Sequence, residues 1–321
     1  MDPEKHSWYV PDQSGRTALV TGANGGLGYH VSLELARAGA RVLLACRNAE
    51  RGEEALRRLR AELEPSGAPV AAELLQVDVA DLTSVRRAAA EVAERAPVLD
   101  VLVNNAGIMA TPRWETPDGF EGQLATNHLG HFALTGLLLP SLLAAPHPRV
   151  VSVASIAHWF GRLKRGDLMW ERNYSPWAVY GQSKLANLLF ASELQRRARA
   201  ARTPLLSLAA HPGISSTELF SVGPRMSGSR AWKLVQEGGM RLVAQHPAQG
   251  ARPLLRAATD PSVAGGEYFG PDGPFGLRGD PRRTRAMPWA RDAEGARWLW
   301  ERSAELTGVD YAQLQPEDLA A

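Results

Sequence analysis

The feature that most constrains this chain is an alternation of short apolar runs with longer stretches of helical spacing. Residues 16–21 (RTALVT) lead into a helical pattern through Tyr29, Leu33 and Leu35, and residues 41–45 (RVLLA) precede a helix over 49–64. Residues 74–77 precede a helix over 82–95, 99–103 precede one over 120–143, and 150–153 precede one over 179–201; 205–209 form a sixth run. Runs this short and this uniformly apolar suit strands covered on both faces. The expected class is therefore α/β, a doubly wound parallel sheet flanked by helices on both faces and joined by right-handed crossovers.

After His211 the rhythm weakens. A helix is expected over 231–243 and another over 248–258, with a last short strand at 267–269, a loop over 270–288 and a final helix over 297–306. No linker separates two cores, so the reading is an N-terminal extension (1–14) and one domain (15–321). Within that domain, 218–245 is expected to act as a substrate lid and 270–321 to be a variable C-terminal part.

Composition closes off several function classes. With 36 basic against 34 acidic side chains and no run of five or six like charges, nothing points to nucleic acid. The single cysteine, Cys46, excludes an internal disulfide and a paired-cysteine metal site, and suits a reducing compartment. The N-terminus lacks the apolar core of a secretory signal, and the uncharged stretch 131–148 is interrupted by Pro140 and Pro146. The expectation is a cytoplasmic protein without a transmembrane segment. His128 and His131 lie three apart on a helix but have no carboxylate or thiol beside them in the pattern, and no metal is expected.

Residues 21–28 (TGANGGLG) sit where the first strand meets the first helix. Gly22 allows a sharp exit, Gly26 removes a Cβ that would block a pyrophosphate, and Gly28 lets the helix pack close to the sheet. Free N–H groups at the helix start then face an anion, so Asn24 and Leu27 of the same turn join the glycines as nucleotide-binding positions. A glycine-rich turn without a ligand is the plain alternative; its place between strand and helix favours the nucleotide. Enzymes that hold NAD commonly end the second strand in an acid that binds the ribose 2′-hydroxyl. Here the strand ends in Cys46-Arg47, and an arginine meets a 2′-phosphate instead, so NADP(H) is expected over NAD(H), with Arg51 as an assistant or a bystander.

Tyr180 and Lys184 are four apart on a helix and share a face. A phenol is a poor base at neutral pH, and an ammonium beside it favours the phenolate. Of the two serines at the end of the strand over 150–153, Ser155 lies beyond it, where ligands of open parallel sheets bind, and Ser152 is expected to face into the sheet.

In order along the chain stand Thr21-Gly22 with Gly26 and Gly28, then Asp78-Val79, Asn104-Asn105-Ala106-Gly107, Asn127, Ser155, Tyr180 with Lys184, and Pro212-Gly213 with Thr217. Over about residues 14–270 this series resembles the short-chain dehydrogenase/reductase superfamily of classical type. Ser155-Ile156-Ala157-His158 resembles its retinol dehydrogenase-like branch. The resemblance implies a Rossmann-type fold and a role for each position. Asp78 would accept from the adenine amino group with Val79 as its backbone partner, and Asn104, with Ala106 and Gly107, would lie at the cofactor. Asn127 would support a water, Ser155 would hold the substrate oxygen, and Lys184 would bind the nicotinamide ribose. After the break at Pro212 and Gly213, the Ile214 backbone would hold the carboxamide and Thr217 would bind near the phosphates.

The expected function is an NADP(H)-dependent oxidoreductase that interconverts a carbonyl and an alcohol on an apolar small molecule, with Tyr180 as general acid and base. The alternatives are a non-catalytic NADP-binding regulator or scaffold, and an NADPH-dependent reductase of carbon–carbon double bonds. The aromatic-rich segment 158–177 reads equally as pocket wall or as ordinary packing. The resemblance covers both dimers and monomers and leaves the oligomeric state open.

Overall fold

The computed structural model describes residues 9–66, 70–214 and 245–315. Among these, eight strands form one sheet in the order β3-β2-β1-β4-β5-β6-β7-β8. They are β1 (Thr17–Thr21), β2 (Arg41–Cys46), β3 (Ala72–Gln76), β4 (Val101–Asn104), β5 (Arg149–Val153), β6 (Leu206–Ala210), β7 (Tyr268–Pro271) and β8 (Pro281–Arg283). All neighbours are parallel except β7 and β8. The order reverses at β1, which lies between β2 and β4, so a crevice opens beyond the carboxyl ends of β1 and β4.

Period-two alternation assigns the strand side chains to two cores. Leu19, Leu43, Leu102 and Val150 point to one layer, whereas Val20, Val42, Leu44, Val103 and Val151 point to the other. The helices that cover them are α1 (Gly26–Arg37), α2 (Ala49–Leu63), α3 (Leu82–Arg95), α4 (Gly122–Leu124), α5 (Gly130–Leu137), α6 (Leu139–Leu143), α7 (Pro176–Ala200), α8 (Pro247–Thr259) and α9 (Ala293–Thr307). Burying one of the fully enclosed leucines contributes about 1.5–3 kcal/mol, so the two apolar layers hold the sheet in place.

The helix starts differ in a way that matters for function. Asn48 caps α2 by accepting from the Arg51 N–H, Asp81 caps α3 by accepting from Thr83 and Ser84, and Asp292 caps α9 by accepting from Glu294. At α1 the capping position is Gly25 and no side chain serves the first turn. Its unpaired N–H groups are left for a ligand.

Two sequence expectations change. The helix expected over 120–143 is broken: a π-helical turn (Ala125–Leu129) separates α4 from α5, and α6 carries Pro140 near its start. Part of the reason lies at Gly130, where a Cβ would come within 1.8 Å of the Val79 carbonyl oxygen. The loop expected over 270–288 contains the edge strand β8. The lid expected over 218–245 and the helix over 231–243 lie outside the described residues, apart from Gln245. No helix among the described residues is long and apolar enough to cross a membrane.

Candidate active site

At the crevice beside β1 lies a cavity of about 450 Å³. Its floor is the turn after β1, where Gly22 and Gly26 take positive φ values of 66° and 53°. A Cβ on Gly28 would sit 2.4 Å from the Gly22 carbonyl oxygen, so only glycine lets α1 begin against the turn. Gly22, Asn24, Gly26 and Leu27 line the cavity; Gly28 supports them from behind.

Thr21 fastens this floor to the segment after β4. Its hydroxyl oxygen accepts from the backbone N–H of Asn105 (2.8 Å) and of Ala106 (2.9 Å), and the Asn105 amide donates to the Thr21 carbonyl at 2.7 Å. The hydroxyl also lies 2.9 Å from His131 Nε2, and His131 Nδ1 lies 3.2 Å from the Asn127 carbonyl oxygen. The Asn127 carbonyl can only accept, so Nδ1–H donates to it and Nε2 carries the lone pair that takes the proton of the Thr21 hydroxyl, whose oxygen is also 3.3 Å from the Val103 carbonyl oxygen. Burial pushes the His131 imidazole down to about 4, so the ring is neutral, as that pattern requires.

Asn127 lies in the π-helical turn and is fully buried. Its side chain accepts from the Ile108 N–H (2.8 Å) and donates to the Ile108 carbonyl (3.0 Å) and to the Ser183 hydroxyl (2.8 Å). It therefore holds the loop that presents Ala106, Gly107, Ile108 and Met109 to the cavity. Asn104 is placed otherwise than expected. It is absent from the cavity wall, sits buried in the sheet, and donates to Thr135 at 2.9 Å; Asn105 stands at the cavity. The cause is strand pleating, which turns consecutive side chains to opposite faces.

Arg47, Arg51, Asp78 and Val79 form the far end of the cavity. Arg47 Nε is 3.8 Å from an Asp78 carboxylate oxygen, a long, solvent-exposed pair of the kind that contributes little stability and yields readily to a stronger anion. Asp78 also accepts from the Ala80 N–H at 2.9 Å, which fixes its carboxylate.

The opposite wall carries the reactive side chains. β5 ends at Val153, and the chain turns so that Ser155 caps a 3₁₀ turn (Ile156–Trp159). Ser155 Oγ accepts from the Ala157 N–H at 3.2 Å, and Ser155 shares the cavity wall with Tyr180. Burial pushes the Tyr180 phenol up to about 12, and the Ser155 side chain opposes that rise. Lys184, one turn along α7, is also buried, donates to the Val153 carbonyl at 3.1 Å, and is held down to about 8 by burial. Its ammonium lies 5.8 Å from the centre of the Tyr180 ring. The sequence led to an expectation that this ammonium lowers the phenol. In the structure the largest influence on the phenol is burial, which raises it, since taking a phenolate out of water is costly.

Phe160 and Trp177 also line the cavity and are substantially exposed there, whereas Trp170 and Tyr174 of the same segment pack elsewhere. Trp170 donates to Gln182, and Tyr174 bonds to Glu121 and Thr111. The segment thus divides between the two readings. Pro212, Gly213 and Ile214 close the cavity, and Thr217 lies outside the described residues. Sequence reasoning did not find Met109, Thr126, His131 or Ser183 as site residues; the contacts of Met109, His131 and Ser183 with Tyr180, Thr21 and Asn127 join parts of the chain remote in sequence.

A family model for short chain dehydrogenases matches residues 16–223. The chain belongs to that family. This short-chain dehydrogenase is 39% identical to human (Homo sapiens) retinol dehydrogenase 13 over 308 residues, 95% of this chain and 88% of the relative. It is 41% identical to mouse (Mus musculus) polyprenol dehydrogenase, over 94% of this chain and 86% of the relative. Among solved structures, an uncharacterised protein from Mycobacterium paratuberculosis superimposes with a TM-score of 0.78 at 43% identity, covering 95% of this chain and 99% of that one. These findings place the chain in the retinol dehydrogenase-like branch of a family of nicotinamide-dependent oxidoreductases.

Proposed function

We propose that this protein is an NADP(H)-dependent oxidoreductase that interconverts a carbonyl and an alcohol on an apolar small molecule, with Tyr180 giving and taking the proton. The observation that carries this reading is that Ser155, Tyr180 and Lys184 line the same cavity as the glycine turn, with Tyr180 and Lys184 buried one helical turn apart.

The cavity fits a dinucleotide on its own features. Gly22 and Gly28 leave out side chains that would close the turn, and α1 offers N–H groups that no side chain caps. When bound, the nicotinamide supplies or accepts the hydride. The first turn of α1, with Asn24, Gly26 and Leu27, would hold the pyrophosphate, and Arg47 would exchange its long pair with Asp78 for a 2′-phosphate. Lys184 would hold the ribose, and the backbone of Ile214 the carboxamide.

For reduction, the Ser155 hydroxyl polarises the carbonyl oxygen and the Tyr180 phenol, protonated throughout the neutral range, delivers its proton to the forming alkoxide. For oxidation, Tyr180 takes that proton back, and Lys184 stabilises the phenolate. Asn127 and His131 keep the loop after β4 at its distance from this wall. Met109, Phe160 and Trp177 present apolar surface to the substrate, which fits relatives named for retinol and polyprenol. The test is NADPH consumption by the purified protein across apolar aldehydes and ketones. Turnover that disappears in Tyr180→Phe supports the reading; no turnover with any carbonyl, or equal turnover in Tyr180→Phe, overturns it.

A further inference from the structure

The Ser155 turn has two sides. Ser155, Ile156, Ala157 and Phe160 face the nucleotide cavity, whereas His158 and Trp159 face a second cavity of about 250 Å³, little more than half the volume of the first. Its other walls include His211 after β6, Tyr268 of β7, and Arg282, Thr284 and Arg285 of the chain around and after β8. We infer that this second cavity binds a small oxyanion, a phosphate or a carboxylate group, independently of the nucleotide site.

The argument is an inventory of donors and acceptors. Tyr268 is 7% exposed, and its hydroxyl has no hydrogen-bond partner. A buried phenol without a partner is costly, and native proteins rarely leave one so. His211 Nδ1 accepts from the Gly213 N–H at 3.2 Å, which leaves the proton on Nε2 as a second donor. Burial pushes that imidazole down to about 3, so it stays a neutral donor. A Cβ on Gly270 would meet His211 Nε2 at 1.9 Å, so the backbone of β7 is kept bare beside this ring.

The Thr284 hydroxyl adds a third donor, and the guanidiniums supply charge. Arg283 pairs with Glu267 at 3.0 Å, but Arg282 and Arg285 on either side of it form no ion pair among the described residues. Against them stands one lining carboxylate, Asp272, which accepts from the Asp280 N–H at 2.9 Å. His158 offers nothing further: Nδ1 bonds to the Ser155 carbonyl at 2.6 Å, and Nε2 accepts from Met287. The lining therefore includes a phenol without a partner, a neutral imidazole, a threonine and two guanidiniums with no ion pair among the described residues, against the single carboxylate of Asp272. An oxyanion supplies what they lack.

The experiment is a calorimetric titration of inorganic phosphate, and separately of acetate, into the full-length protein in a chloride buffer; the two arms distinguish a tetrahedral from a planar ligand. Tyr268→Phe keeps the ring and removes only the hydroxyl, and is expected to weaken binding a few-fold. Arg282→Ala with Arg285→Ala is expected to raise Kd about tenfold or more, the scale of lost charge-assisted hydrogen bonds. Thermal melts confirm that each variant is folded. Weakening in both variants for either anion supports the site. Titrations that are the same in wild type and both variants, or no binding of either anion, overturn it.

Discussion

The two walls of the nucleotide cavity are built on opposite principles. The wall from β1, α1 and the loop after β4 works by omission: Gly22, Gly28 and Gly107 leave out side chains, and α1 leaves its N-terminus uncapped. The wall from β5 and α7 works by retention, keeping Tyr180 and Lys184 buried beside the half-buried Ser155 at a cost visible in the displaced titration of the phenol and the amine. The difference teaches where each wall is vulnerable. Added atoms break the first, and removed atoms break the second.

The largest effect follows from removing one oxygen. Tyr180→Phe is expected to lower turnover about 10²- to 10⁴-fold, the usual contribution of a positioned proton donor, while NADPH affinity holds. Parallel steady-state rates and fluorescence titrations check this, and an equal loss in both would merge the two walls into one.

Next comes the buried lysine. Folding holds Lys184 at about 8, below an ordinary amine value of 10.5, so between these pH values the unfolded chain carries more protons and stability rises with pH. The rise amounts to at most about 3 kcal/mol and is complete above the unfolded value. Denaturant unfolding of wild type and Lys184→Met from neutral pH upward isolates it, because the variant lacks the group; a constant difference between the two would mean that Lys184 is not desolvated.

Added atoms should act on the other wall. Gly28→Val places a Cβ against the Gly22 carbonyl and is expected to cost about 1–3 kcal/mol of stability by overpacking, with NADPH binding weakened at least as much as turnover. The smallest effect is that of Arg47→Ala. With its side chain 72% exposed, the arginine is screened by solvent, and the expectation is about a tenfold loss of NADPH affinity with NADH unaffected. Equal loss for both nucleotides would remove the arginine from 2′-phosphate recognition.

The same contrast explains what the sequence made legible. β1 to β7 and the helices beside them were readable because strand and helix periods differ and the buried runs are uniformly apolar. β8 was not, since Pro281-Arg282-Arg283 is three residues of an edge strand in which the two arginines are exposed and only the proline is buried. The π-helical turn was hidden because a bulge costs no change of composition, and only Gly130 hints at the close approach to Val79. In the site, glycine spacing and the Tyr180–Lys184 repeat are local signals. The link from Thr21 through His131 to Asn127 joins residues about a hundred positions apart, and no local pattern records it. Asn104 and Asn105 were separable only by the pleat of β4, which decides which of two adjacent asparagines reaches the cavity.

The claim that both walls serve one bound nucleotide has a direct test in the phenol itself. Difference titration of wild type against Tyr180→Phe reports the Tyr180 ionisation alone, expected at about 12 without ligand. A cationic nicotinamide brought beside the phenol favours the phenolate, so saturating NADP⁺ is predicted to lower that value by about one to three units. A phenol whose titration is the same with and without NADP⁺ would contradict the account.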